Sequence, residues 1–230
     1  VEDIAGDPRH RPYGQEMRKS VGLPPRGLVL AYIAEFIPWK DHATLIRAMH
    51  ELARRNVDVQ LLLIGQGKIM DSARMLAAAG PGESRIHFLG ARSDVRELLG
   101  LVDIYVHPGR AEGFGLAVVE AMLAKCAVVA AREGAMIELI ESGKTGLLFE
   151  AGKANHMADA IVELANDPQR ARQMGTAARA ACVERFDIDH FADAICNFLE
   201  QCFPSAVRRR REEKQIPQRM AEVRPAEAQR

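Results

Sequence analysis

The stretch HPGRAEGFGLAVVEAMLAKCAVV, His107 to Val129, decides the fold. Just before it, Asp103 to Val106 (DIYV) is expected to form a short buried strand. Gly113, Phe114 and Gly115 form a turn, and Leu116 to Lys125 has the apolar spacing of a helix. A strand, a glycine turn and a helix N-terminus make an anion site, because the first helix amides lack intrahelical partners and the helix dipole favours negative charge there. Glu112 in the turn and Glu120 on the helix add two carboxylates. Carboxylates accept hydrogen bonds from hydroxyls. A ligand that is both a phosphate ester and rich in hydroxyl groups, such as a nucleotide-sugar, suits both features.

The rest of the chain alternates strand and helix. Strands are expected at Leu28 to Ile33, Val59 to Ile64, Ile86 to Leu89, Ala127 to Ala131 and Leu147 to Phe149. Asp41 caps a helix that runs to about Asn56, with Leu45, Ile46, Met49 and Leu52 on one face. Further helices follow Ile64, start at Asp94, run from Ala135 to Glu141, and fill most of Asn155 to Gln201 with breaks at Pro168 and near Asp187. Apolar strands alternating with helices imply an α/β fold with a doubly wound parallel, Rossmann-like sheet. In such sheets ligands bind at the carboxyl ends of the strands. The loops holding Lys40, Gly65 and Glu112 all follow strands and should converge on one edge.

Composition narrows the function. The 230 residues carry a formal net charge of zero and 48% hydrophobic content, so no broad field draws the chain to nucleic acid or membrane. No apolar run is long enough to span a bilayer. The opening VEDIAGDPRHRPYG is polar, so no signal peptide is expected, and it resembles the interior of a longer protein. Residues 1–20 read as a polar lead-in, 21–204 as one nucleotide-sugar-binding domain, and 205–230 as a charged, disordered tail. From residue 208 the tail holds eight basic and four acidic residues. It is either a tether to acidic lipid or a partner, or simply solvated. Cys126, Cys182, Cys196 and Cys202 lack metal-ligand spacing and are expected to be buried free thiols, as suits a reducing cytoplasm.

Four segments in order carry a family resemblance beside the opening motif: AEFIPWKDHATLIRAM (Ala34 to Met49), LLLIGQGK (Leu61 to Lys68), RIHFLG (Arg85 to Gly90) and EGAMIELIESGKTGLLFE (Glu133 to Glu150). Together they resemble the retaining glycosyltransferases of family 4, whose Glu-x7-Glu motif matches Glu112 and Glu120. The resemblance implies the C-terminal, donor-binding half of a GT-B enzyme of the hexosyltransferase type used in polysaccharide biosynthesis. The reaction implied is transfer from a nucleotide-diphosphate-sugar to a hydroxyl of a carbohydrate or glycolipid acceptor, with retention at the anomeric carbon. A separate N-terminal acceptor domain is an expected partner. No metal or other cofactor is expected, and the implied location is the cytoplasm, with the membrane's inner face as a peripheral site.

The resemblance also assigns roles. Glu112 would meet the sugar hydroxyls near the reacting centre, and Lys40 would neutralise the departing diphosphate. Glu120 would hold the ribose hydroxyls. Its apolar neighbours suggest a helix buried on most sides, where a lone carboxylate needs a partner. The amides of Gly113, Phe114 and Gly115 would face sugar and phosphates. Gly65 and Gly67 form a tight turn that is either beside the ligand or purely structural. Glu138 is a candidate sugar or phosphate contact. His107 reads as a packed histidine, and Asp187-x-Asp189 as a helix cap and not a metal motif.

Several positions depart from the family pattern. Glu35 stands where an arginine is usual, and a glutamate beside a diphosphate is repulsive unless it turns away. Gly109 replaces a serine, and Lys125 and Ala127 replace a glycine and a proline. The exposed part of a Phe191, Ile195, Phe198, Leu199 stripe would need a partner. Two other functions compete with transfer. One is a non-catalytic nucleotide-sugar-binding module or inactive half-enzyme. The other is a nicotinamide dehydrogenase, ranked far lower because AEFIPWKDH lacks the Gly-x-Gly-x-x-Gly fingerprint.

Overall fold

The computed structural model describes residues 12–186 and 188–202; the side chains of residues 12, 13, 188–191, 193, 194 and 200 lie outside that description. The tail and residue 187, with the readings placed on them, also lie outside it.

Six parallel strands form one sheet: β1 (Leu28–Ile33), β2 (Val59–Ile64), β3 (Ile86–Gly90), β4 (Ile104–His107), β5 (Ala127–Ala131) and β6 (Leu147–Phe149). Every residue of β2, β4 and β5 is buried, as expected where helices cover both faces of a sheet. Burial of each large apolar side chain contributes about 1.5–3 kcal/mol. The strand order is β3-β2-β1-β4-β5-β6. The chain therefore winds outward from β1 to one edge, returns to the centre at β4, and winds outward again. The direction reverses between β1 and β4, which pair through Leu30 with Ile104 and Ala31 with Tyr105. Loops leaving the two strands diverge there and leave a crevice at their carboxyl ends.

The helices are α1 (Pro12–Ser20), α2 (His42–Arg54), α3 (Met70–Ala78), α4 (Val95–Leu99), α5 (Leu116–Leu123), α6 (Met136–Leu139), α7 (Ala154–Asn166), α8 (Pro168–Arg185) and α9 (Ile188–Cys202). Asp41 caps α2 as expected: its carboxylate accepts from the Thr44 amide at 3.2 Å and the Thr44 hydroxyl at 2.7 Å. Residues 12–20 of the polar lead-in form α1. α1 buries Arg18, which donates to the carbonyls of Pro24 at 2.8 Å and Gly27 at 2.9 Å and so ties the helix to the start of β1. The polar composition hid this because the guanidinium is satisfied by backbone.

The described chain divides into two compact units after Val183. In the second unit, Ile195, Phe198 and Leu199 on α9 are exposed. Cys196 and Cys202 are exposed too, contrary to the expectation of four buried thiols, whereas Cys126 and Cys182 are buried. Helical position alone did not tell Cys182 apart from Cys196 and Cys202. No helix among the described residues is long and apolar enough to cross a membrane.

The Gly65 turn interlocks two strand ends. Gly65 and Gly67 have φ of 139° and 156°, and a Cβ on Gly65 would lie 2.0 Å from the Ala34 carbonyl oxygen. One on Gly67 would lie 2.6 Å from the oxygen of Phe36. Both glycines are therefore required by backbone packing against the loop after β1. Gly65→Ala should lower the unfolding free energy by about 2–3 kcal/mol, read as a shifted urea midpoint. An unchanged midpoint would show that the two loops do not need this approach.

Candidate functional site

The loop after β1 holds Lys40 from several sides. The Ala34 amide donates to Ile64 at 3.0 Å, that of Phe36 to Gln66 at 3.0 Å, and that of Lys40 to Ile37 at 3.1 Å. Pro38–Lys40 is a single 3₁₀ turn, and the Tyr32 hydroxyl donates to the Lys40 carbonyl at 2.8 Å. Across the crevice, the loop after β4 carries Glu112. The Arg110 amide donates to the Trp39 carbonyl at 2.7 Å and joins the two loops. The Glu112 carbonyl accepts from the Ala135 amide at 3.1 Å. Gly134 allows this contact, since a Cβ there would come within 2.8 Å of that oxygen.

Lys40 and Glu112, 72 residues apart in sequence, form an ion pair through Nζ and Oε2. Both side chains are about four-fifths buried, with exposures of 21% and 19%. Beside them lies His107, only 3% exposed, with Nε2 at 3.8 Å from the same Glu112 oxygen. Neither His107 ring nitrogen has a hydrogen-bond partner, nor does Nδ1 of His42. Tyr32 packs between them, its ring edge-on to His107 at 5.7 Å and tilted to His42 at 5.0 Å. His42 also stacks on Phe36 at 4.0 Å.

The expected donor contacts divide. Gly115 adopts φ 88° at the N-cap of α5, and its missing Cβ makes room for Met136. A Cβ on Gly113, by contrast, would meet nothing within 4 Å, so internal packing does not demand a glycine there. The α5 N-terminus has no side-chain cap and no acidic residue in its first turn. Its leading amides remain available to an anion. Phe114 is 45% exposed and Leu116 69% exposed. Glu120 is exposed, on the same face as Leu116 one turn earlier. This overturns the expectation that burial forces a partner on it: the apolar neighbours Val118, Val119, Ala121 and Met122 turn to the core and leave Glu120 outside. Glu138 is exposed on the four-residue α6. Glu35 is exposed in the Lys40 loop.

Sequence reading passed over His42 and Tyr32 and gave His107 only a packing role. Their contact partners come from separate strands and loops, so no local pattern marks them. Among the described residues no group of three His, Cys, Asp or Glu side chains is placed to hold a metal ion.

Burial lowers the pKa of His42 to about 4, helped by the Lys40 charge. Burial also lowers that of His107 to about 4, opposed by Glu112 and aided by Lys40. Both rings are neutral at pH 7. The unfolded chain binds protons on them below about pH 6.5 and the folded one only near pH 4, so stability falls as pH drops through that window. His107→Gln removes one of these groups. Between pH 7 and 4.5 the variant should lose about 2 kcal/mol less stability than the wild type, measured by urea unfolding at each pH. Equal losses would show that His107 does not titrate in the folded state as its burial requires.

Residues 14–181 match the model of the glycosyl transferases group 1 family. The chain is 31% identical over 171 residues to an N-acetyl-alpha-D-glucosaminyl L-malate synthase of Bacillus anthracis, a match covering 74% of this chain and 45% of that protein. It is 29% identical over 193 residues to a GDP-mannose-dependent alpha-(1-6)-phosphatidylinositol monomannoside mannosyltransferase of Mycobacterium tuberculosis, covering 80% and 50%. The chain thus spans about half the length of the curated relatives it matches. The structure of Anabaena HepE with UDP and glucose superposes with a TM-score of 0.76 at 27% identity, over 85% of this chain and 55% of that one. A C-terminal domain of a group 1 glycosyl transferase from Francisella tularensis shares the fold, with a TM-score of 0.66 at 24% identity over 76% of this chain and 93% of that one. The sheet is thus of the GT-B type, its partial coverage fits a C-terminal domain, and the chain belongs to the glycosyl transferases group 1 family.

Proposed function

We propose that this polypeptide is the donor-binding half of a retaining glycosyltransferase of family 4. It holds a nucleotide-diphosphate-sugar while the sugar passes to an acceptor hydroxyl on a carbohydrate or glycolipid. The observation that carries the reading is the meeting of Lys40 and Glu112 across the strand-order reversal, next to the uncapped N-terminus of α5.

The chemistry follows from charge. Breaking the bond from the anomeric carbon to the diphosphate leaves negative charge on the departing oxygen. Lys40 and the leading amides of α5 stabilise it, with no resident metal in the scheme. The acceptor oxygen bonds to the same carbon on the face that the diphosphate leaves, which retains configuration, and the hydroxyl proton passes to the departing diphosphate oxygen. Glu112 accepts from sugar hydroxyls, Glu120 from the ribose, and the open backbone at Gly113 lets the ligand approach closely. Phe114, Gly115 and Glu138 complete the proposed surround, whereas Gly65 and Gly67 act by shaping the Lys40 loop. The acceptor arrives on a separate N-terminal domain, and the work is done in the cytoplasm or at the membrane's inner face. Support comes from the UDP in the HepE structure and from the GDP-mannose dependence named for the Mycobacterium tuberculosis relative.

Calorimetric titration with UDP, GDP and ADP and their sugars tests this. One base should bind, and Glu120→Ala should weaken it about tenfold or more through loss of a charged hydrogen-bond acceptor. Binding unaltered by Glu120→Ala would remove the ribose assignment, and a chain indifferent to every nucleotide would remove the donor-site reading.

The exposed carboxylate of Glu35 in the Lys40 loop favours a second reading, a non-catalytic nucleotide-sugar-binding module. Glu35→Arg separates the two. A transferase site should gain about fivefold in nucleotide affinity from the reversed charge. No gain would favour the module.

A further inference from the structure

His107 combines two unusual properties: it is almost wholly buried, and both of its ring nitrogens lack hydrogen-bond partners. A buried polar group left unsatisfied costs about 1–3 kcal/mol, so such groups call for a physical reason. The ring is well positioned all the same. Tyr32 packs edge-on against it, and the backbone at Gly109 fits closely, since a Cβ there would sit 3.1 Å from both His107 Nε2 and the Tyr32 hydroxyl. Nε2 faces Glu112 Oε2 at 3.8 Å, and that oxygen is the one engaged by Lys40.

We propose that His107 is a positioning residue for Glu112, donating Nε2–H to the Glu112 carboxylate when Lys40 turns to the diphosphate of a bound donor. This rests on the donor-site reading above. Lys40 engages Glu112 Oε2, and His107 Nε2 stands 3.8 Å from that same oxygen without a hydrogen-bond partner. Once the ammonium moves to the phosphates, Glu112 would lose its charged partner just when it must present an oxygen to the sugar. A shift of about 1 Å brings the carboxylate from its present distance to hydrogen-bond range of Nε2. The imidazole then holds one oxygen and leaves the other for a sugar hydroxyl. A neutral ring can do this without adding positive charge beside the anomeric carbon, and burial keeps the ring neutral. The charged and titratable groups around His107 are Lys40, Glu112, Tyr32 and, beyond Tyr32, His42.

The first test needs no donor. Nitrogen-15 NMR of the histidine rings is recorded for the wild type, Lys40→Met and Lys40→Met/Glu112→Gln. In Lys40→Met, His107 should be an Nε2–H tautomer with a slowly exchanging ring proton, and it should titrate at least about one pH unit higher than in the double variant. An Nδ1–H tautomer, or a signal indifferent to Glu112→Gln, overturns the proposal. The second test compares each nucleoside diphosphate with its sugar (UDP and UDP-glucose, GDP and GDP-mannose, ADP and ADP-glucose). His107→Leu should weaken the nucleotide-sugar about fivefold relative to the bare diphosphate, and His107→Gln, which keeps an N–H near Nε2, should restore it to within about twofold. Equal weakening of both ligands by His107→Leu would mean a merely structural role and overturns the proposal. Failure of the wild type to bind any nucleotide counts against the donor-site reading, and the ring-nitrogen result then decides His107 alone.

Discussion

The parallel pairing of β1 with β4 is the constraint on which the rest of the site depends. The two strands lie more than seventy residues apart in the chain, yet they are central neighbours in the sheet. Each sends its following loop to the same edge. One loop brings an ammonium and the other a carboxylate, and between them the sheet's winding direction reverses. The chemistry of the crevice is therefore a consequence of topology. Neither loop could form the ion pair if β4 lay at the far side of the sheet, because Lys40 and Glu112 would then sit several strand spacings of about 4.8 Å apart along that edge.

Glu112 is held at two places by different means. Its backbone is fixed by the turn at Gly134 and Ala135, and its side chain by Lys40. The glycines of the motif serve separate ends: Gly115 makes room for Met136, while Gly113 has no close internal neighbour. A glycine that the fold itself does not require is a better indicator of ligand approach than one demanded by core packing. By the same reasoning Gly65 and Gly67, which resemble a ligand loop in sequence, belong to the scaffold that supports Lys40.

Much of the fold was legible in the sequence because strands buried on both faces read as continuous apolar runs. LVLAYI, VQLLLI, AVVAA and LLF became β1, β2, β5 and β6 at the expected bounds. Strand order was not legible, since it depends on which crossovers run in which direction. Side-chain exposure on α5 was misjudged for a local reason. The helix is apolar enough to look buried all round, but Leu116 and Leu123 share the outer face with Glu120. The motif pointed to Glu112 and Lys40, and the structure brings those two together. His107 was visible only as a strand-end residue, because its environment is assembled from β1, the Lys40 loop and its own loop.

The anchoring of the Lys40 loop bears on time as well as place. The main chain there is pinned by the Tyr32 hydroxyl, by amides of the loop itself and by the Arg110 amide of the facing loop. The ammonium alone, at the end of a flexible stem, has freedom to exchange one anion for another. Such a rotamer change takes on the order of nanoseconds or less, whereas the rearrangement of a loop takes up to microseconds and that of a domain longer still. Turning the Lys40 ammonium from Glu112 to another anion is accordingly a side-chain event that leaves the pinned loop in place.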